Sequence, residues 1–176
     1  MLSFVLLLSF AYFAFQYNQY SKYLGMVPSE LDVSYFFTFG TKELGACGAA
    51  IFILNDKTNK RILKDGLVFL KTANKTRRFY KNRYTHEPLV QESYDAWIKI
   101  DASERQYWWS DAAFSGLYCY EAKQVSDKVE EIRKHILKFG GYYTRIKNNN
   151  YHTGLDGSRL LIVPSMNIAV IEYWNF

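Results

Sequence analysis

His152, Thr153 and Gly154 stand side by side in a turn-rich stretch that leads into two apolar runs. A glycine on a strand lets a second backbone lie close against it without a Cβ clash. A neighbouring threonine hydroxyl can donate to a carboxylate, and a histidine adds polarity beside a nucleophile. The same residues also make a glycine-rich entry to a plain hairpin. The other two histidines, His86 and His135, lie far away in sequence, and no His-Glu-x-x-His is present. That spacing offers no metal site, and no metal or cofactor is expected.

A second group of residues suits an anionic partner. Lys71, Lys75, Arg77, Arg78, Lys81 and Arg83 fall in one stretch without an acidic residue, in a chain of net charge +5. Phe79, Tyr80 and Tyr84 are interleaved with them. Stacking rings combined with cations hold single-stranded nucleic acid. Cations beside a membrane attract acidic lipid. A solvated basic loop has the same composition, so three uses stay open: an anionic membrane surface or acidic protein, a nucleic acid, or solvent alone.

The elements that would position these groups follow from pattern. The first 21 residues carry no charged side chain, and the run from Leu2 to Phe15 is interrupted only by Ser3 and Ser9. A spanning helix needs about 20 apolar residues, so this segment reads as a membrane anchor, a helix buried in a larger assembly, or a signal peptide. Gly25 and Pro28 mark a boundary after it, giving an apolar N-terminal helix over 1–24 and a domain over 25–176. Within the domain, 33–39 and 96–100 read as strands, and 49–54 and 67–72 as strand or helix. The polar run at 55–60 reads as a loop. Ser126 to Phe139 is the clearest helix, with Ser126 as N-cap and Val129, Ile132, Ile136 and Phe139 as its apolar stripe. Gly140 and Gly141 close it. Residues 142–146 and a terminal hairpin follow as strands, making an α+β chain. Apolar residues are 49% of the chain and aromatic ones 18%, which excludes a disordered chain. Cys47 and Cys119 are the only cysteines; a disulfide and two separate thiols both fit.

The stretch from His152 to Trp174 resembles the C-terminal segment of the serine β-lactamase and penicillin-binding-protein-like hydrolases. There a Lys-Thr-Gly or His-Thr-Gly opens an edge strand, followed by a glycine-containing turn, an apolar strand, a Pro-x-x-Asn corner and a second apolar strand. The matching positions here are His152 to Gly154, Gly157-Ser158, Arg159 to Val163, Pro164 to Asn167 and Ile168 to Trp174. Leu24-Gly25-Met26 is a further echo. The resemblance implies a partial β-lactamase-like antiparallel sheet with helix packing, preceded by the apolar N-terminal helix. It implies that His152, Thr153 and Gly154 line the substrate side of any active site, with Tyr80 and Asn82 as the counterpart of the family's middle motif. The family's Ser-x-x-Lys is absent, since no serine of this chain has a lysine three residues later. Without a nucleophile the chain is not expected to be an enzyme on its own.

Three functions follow as expectations. The first is a non-catalytic accessory subunit of a membrane-associated assembly, in an organelle or at a bacterial inner membrane, with other protein subunits as partners and an anionic lipid or membrane surface as a further one. The second is half of a split serine hydrolase whose Ser-x-x-Lys sits on another chain. The third is a small envelope-associated binding or immunity protein. Nucleic-acid binding is a further use of the basic stretch.

Overall fold

The computed structural model describes residues 23–39, 47–75, 93–101, 103, 107, 123–147 and 157–174. Strands β1 (Val33–Phe39) and β2 (Cys47–Leu54) come first. Helices α1 (Asp56–Asp65) and α2 (Leu67–Leu70) follow, then the short strands β3 (Ser93–Tyr94) and β4 (Ile98–Ile100). Helix α3 (Lys123–Phe139) precedes β5 (Gly141–Lys147), β6 (Gly157–Val163) and β7 (Ile168–Trp174). The sheet runs β1-β2-β7-β6-β5-β3, with β4 also on β5, and every pair is antiparallel. The fold is therefore α+β on one antiparallel sheet, as expected. β2 pairs with β7, the last described strand, so segments far apart in sequence meet inside the sheet while β1 lies at its edge.

Both faces of the sheet are covered. On one, Phe52, Leu54, Leu160, Ile162 and Ile171 pack with Ile62 of α1 and with Phe69 and Leu70 of α2. Tyr23, Met26, Val27 and Leu31 join the same cluster, so the segment leading to β1 is tied into the core. On the other face, Ile51, Leu161, Val163 and Val170 pack with Val129, Ile132 and Ile136 of α3. Double coverage explains why β2, β6 and β7 read as continuous apolar runs rather than alternating ones. Fully burying one such aliphatic side chain contributes about 1.5–3 kcal/mol.

Local chemistry sets the ends of the helices. The Asn55 side chain accepts a hydrogen bond from Lys57 N at 3.0 Å and caps α1. Thr58 and Ile62, one turn apart, are the buried residues of α1, so the expected loop at 55–60 is in fact its first turn and a half. Gly66 ends α1 at φ 50°, ψ −126°, donating to Ile62 O at 2.9 Å. The 67–72 segment resolves as the short helix α2.

Helix α3 begins at Lys123, so it is already underway at the expected cap Ser126. Its stripe is buried at Val129, Ile132 and Ile136, while Phe139 is 57% exposed. Gly140, at φ 77°, closes it with an N–H bond to Ile136 O at 2.7 Å. Between β6 and β7 the chain turns through a 3-10 turn at Pro164–Met166, and Asn167 takes the left-handed conformation at φ 58°. Asparagine is one of the few residues that does so readily.

Candidate functional site

The residues singled out in the sequence fall largely elsewhere. His152, Thr153 and Gly154 lie in the connection between β5 and β6, outside the described residues, as do Tyr80, Asn82, Arg77, Arg78, Lys81 and Arg83. The apolar segment before Tyr23 lies outside them too, and no helix among the described residues is long and apolar enough to cross a membrane. Of the basic stretch, Lys71 and Lys75 are described, and both are exposed just beyond α2. The strand before the hairpin, β5, carries β3 and β4 along its outer side.

The most unusual chemistry sits on β6 and β7. Arg159 and Glu172 are cross-strand partners, 4% and 0% exposed, on the α3 side of the sheet. Arg159 Nε donates to Glu172 Oε2 at 3.1 Å, and Nη2 donates to the same oxygen. The half-exposed Tyr107 adds a side-chain hydrogen bond to Arg159 from the surface side. Burial alone would push the guanidinium pKa down; the Glu172 carboxylate and Tyr107 outweigh it, so the pKa is raised. Arg159 therefore stays protonated at any ordinary pH and cannot serve as a base. The carboxylate is held in a charge-assisted pair, which locks β6 to β7 and offers no nucleophile.

One serine–histidine contact is present among the described residues. His135 Nδ1 lies 3.1 Å from Ser165 Oγ, joining α3 to the β6–β7 corner. The imidazole also packs against Phe139, with ring centroids 5.6 Å apart. A catalytic pair needs a third group to orient the base and donors to receive an oxyanion. Ser165 is exposed, and no carboxylate orienting His135 is seen among the described residues. The contact is read as a tether between helix and corner. Among the described residues no three His, Cys, Asp or Glu side chains are grouped to hold a metal.

The structure adds cations that pattern reading missed. Thr58 and Ile62 turn inward, which leaves Lys57, Lys60 and Lys64 exposed on the outer side of α1. Together with Arg61, Lys71 and Lys75 they make six basic residues against Asp56 and Asp65 over 56–75, a net of +4 in a chain of +5. The signal was present in the sequence, but it needed a helix at 56–65 to become a surface.

No family model, no curated protein and no solved structure matches the chain.

Proposed function

We propose that this chain is a non-catalytic subunit of a membrane-associated assembly, built on a degenerate β-lactamase-like scaffold. The observation that carries the reading is the outer edge of β1. This strand is seven residues long, Val-Ser-Tyr-Phe-Phe-Thr-Phe, without a charge or a proline. It pairs with β2 on one side and with no other strand among the described residues. Edge strands of self-sufficient domains are usually blunted by lysine, proline or brevity. Alternate backbone amides of such a strand point away from the sheet and are available for strand addition by a partner. The irregularity between Val33 and Tyr35 lies at its start and leaves Tyr35–Phe39 in regular register with β2.

The scaffold part of the proposal rests on the hairpin. Its support is the sequence resemblance of 152–174, of which 157–174 form an antiparallel hairpin, β6 and β7 joined at Pro164–Asn167. The non-catalytic part rests on the missing Ser-x-x-Lys and on the closed Arg159–Glu172 pair. Retaining a scaffold while losing its chemistry is physically unremarkable, since fold and activity separate readily.

The test is amide hydrogen exchange along β1, in the chain extracted with its native partners and in the chain alone. The proposal expects the outward amides of 33–39 to exchange rapidly in the isolated chain and slowly in the native complex. Equal exchange in the two preparations would remove the partner from this edge.

A further inference from the structure

We propose that the outer side of α1 and α2 docks on an anionic lipid bilayer, with Leu63 and Val68 entering the headgroup region and Lys57, Lys60 and Lys64 meeting its phosphates. This inference rests on the membrane placement proposed above and names the surface that would meet the lipid.

Leu63 and Val68 are 64% and 77% exposed, the highest values among the exposed large apolar side chains of the described residues. Both belong to the basic 56–75 segment. A large aliphatic side chain held in water gains nothing there, whereas at a bilayer surface it loses that contact with water. The lysines around it are uncommitted. Lys57, Lys60 and Lys64 form no ion pair among the described residues, while Asp65 is within 3.9 Å of Arg61. Arg61 itself lies over the Phe69 ring at 4.2 Å.

The opposite layer is built differently. On α3, Lys128 pairs with Glu131 at 2.8 Å, Arg133 with Glu130 at 3.1 Å and Lys134 with Glu130 at 4.0 Å. Three of the five cations on 123–139 are thus paired within the helix, which keeps a net charge of +2. The 56–75 segment, at net +4 with lysines unpaired among the described residues, is the more strongly positive of these two helical segments and is complementary to an acidic surface.

The exposed anchors decide which acidic surface. Single-stranded nucleic acid is held by aromatic rings on which bases stack. Leu63 and Val68 are aliphatic and suit acyl chains. Cations flanking short aliphatic anchors are the composition of a peripheral lipid-binding face.

The test uses the full chain with phosphatidylcholine vesicles, prepared with and without phosphatidylserine, reading flotation and amide exchange together. Vesicles with phosphatidylserine are expected to slow exchange over 57–68, and neutral vesicles to leave it unchanged. Lys57→Glu/Lys60→Glu/Lys64→Glu should abolish the protection, at about five-fold in affinity per lysine. Leu63→Asp/Val68→Asp should weaken it even at low salt. All five side chains are exposed, so the fold is expected to persist, and thermal unfolding of each variant checks it. A chain that floats on both vesicle types with 57–68 unaltered would overturn the docking surface and leave the membrane reading standing. A chain that floats on neither would overturn both. Protection of 57–68 by an RNA oligonucleotide, with none from either vesicle, would overturn the choice of lipid.

Discussion

Arg159 and Glu172 face each other across β6 and β7 with their charges joined and almost no exposure to water. Such a pair contributes little net stability compared with apolar residues of the same volume, because desolvating both ions offsets their attraction. Its larger effect is on what happens when one partner is lost. Arg159→Met strands a buried carboxylate and should cost about 3–5 kcal/mol in urea unfolding. Arg159→Met/Glu172→Leu should recover most of that loss. Additive costs in the double variant would show that the two residues do not act as a pair.

Tyr142 supplies a pH dependence. Burial raises its phenol pKa above the ordinary value of 10.0. The unfolded chain then ionises first as pH rises, so the native state binds more protons than the unfolded state between the two pKa values. Stability from this group is complete below the unfolded pKa and falls as pH climbs through the folded one. Comparing the wild-type chain with Tyr142→Phe, the wild type should lose more stability above about pH 10. Parallel curves across that window would remove the effect.

Gly66 joins α1 to α2 at φ 50°, and a Cβ there would meet the Tyr142 hydroxyl at 2.9 Å. Gly66→Ala should therefore cost about 1–3 kcal/mol from backbone strain. Adding Tyr142→Phe removes the hydroxyl contact but not the strain, so the double variant should regain only part of the loss. Chemical denaturation of both variants measures the split.

The stripe of α3 gives a contrast between two neighbouring turns. Ile132 is fully buried, and Ile132→Ala should cost about 2–5 kcal/mol. Phe139 is 57% exposed, and Phe139→Ala should stay within about 1 kcal/mol. Similar losses for both would place Phe139 in the core after all.

Periodicity made some of this architecture legible before any coordinates. β1, β4, β5 and the β6–β7 hairpin showed in their β-branched and aromatic runs, and α3 in the spacing of Val129, Ile132 and Ile136. β2 stayed ambiguous because a strand covered on both faces has no alternation to read. α1 was hidden for a different reason. Its buried side is made by Thr58 and Ile62, so only one strongly apolar residue marks the inward face. The Asn55 cap was the remaining signal, and an asparagine in a polar run equally suggests a turn. The Arg159–Glu172 pair was illegible because it depends on the cross-strand register of β6 and β7, across a corner. Phe139 fits the stripe by spacing, but it is the last residue of α3 and is 57% exposed.

The candidate site was legible in a narrower sense. His152, Thr153 and Gly154, with Tyr80 and Asn82, were found by resemblance and lie outside the described residues. The cationic surface was visible only in part, as Lys71 and Lys75; Lys57, Lys60, Arg61 and Lys64 depended on recognising α1.

The most direct test of the central claim is mild-detergent extraction of the chain with its native partners, followed by a serine-reactive fluorophosphonate probe and native mass measurement. The account predicts a complex larger than the chain alone, with no probe on this chain or on any partner bound to it. A chain recovered alone would contradict the assembly. Probe on a serine of this chain, or on a partner that stays attached, would contradict the non-catalytic role and make His152 the next residue to replace.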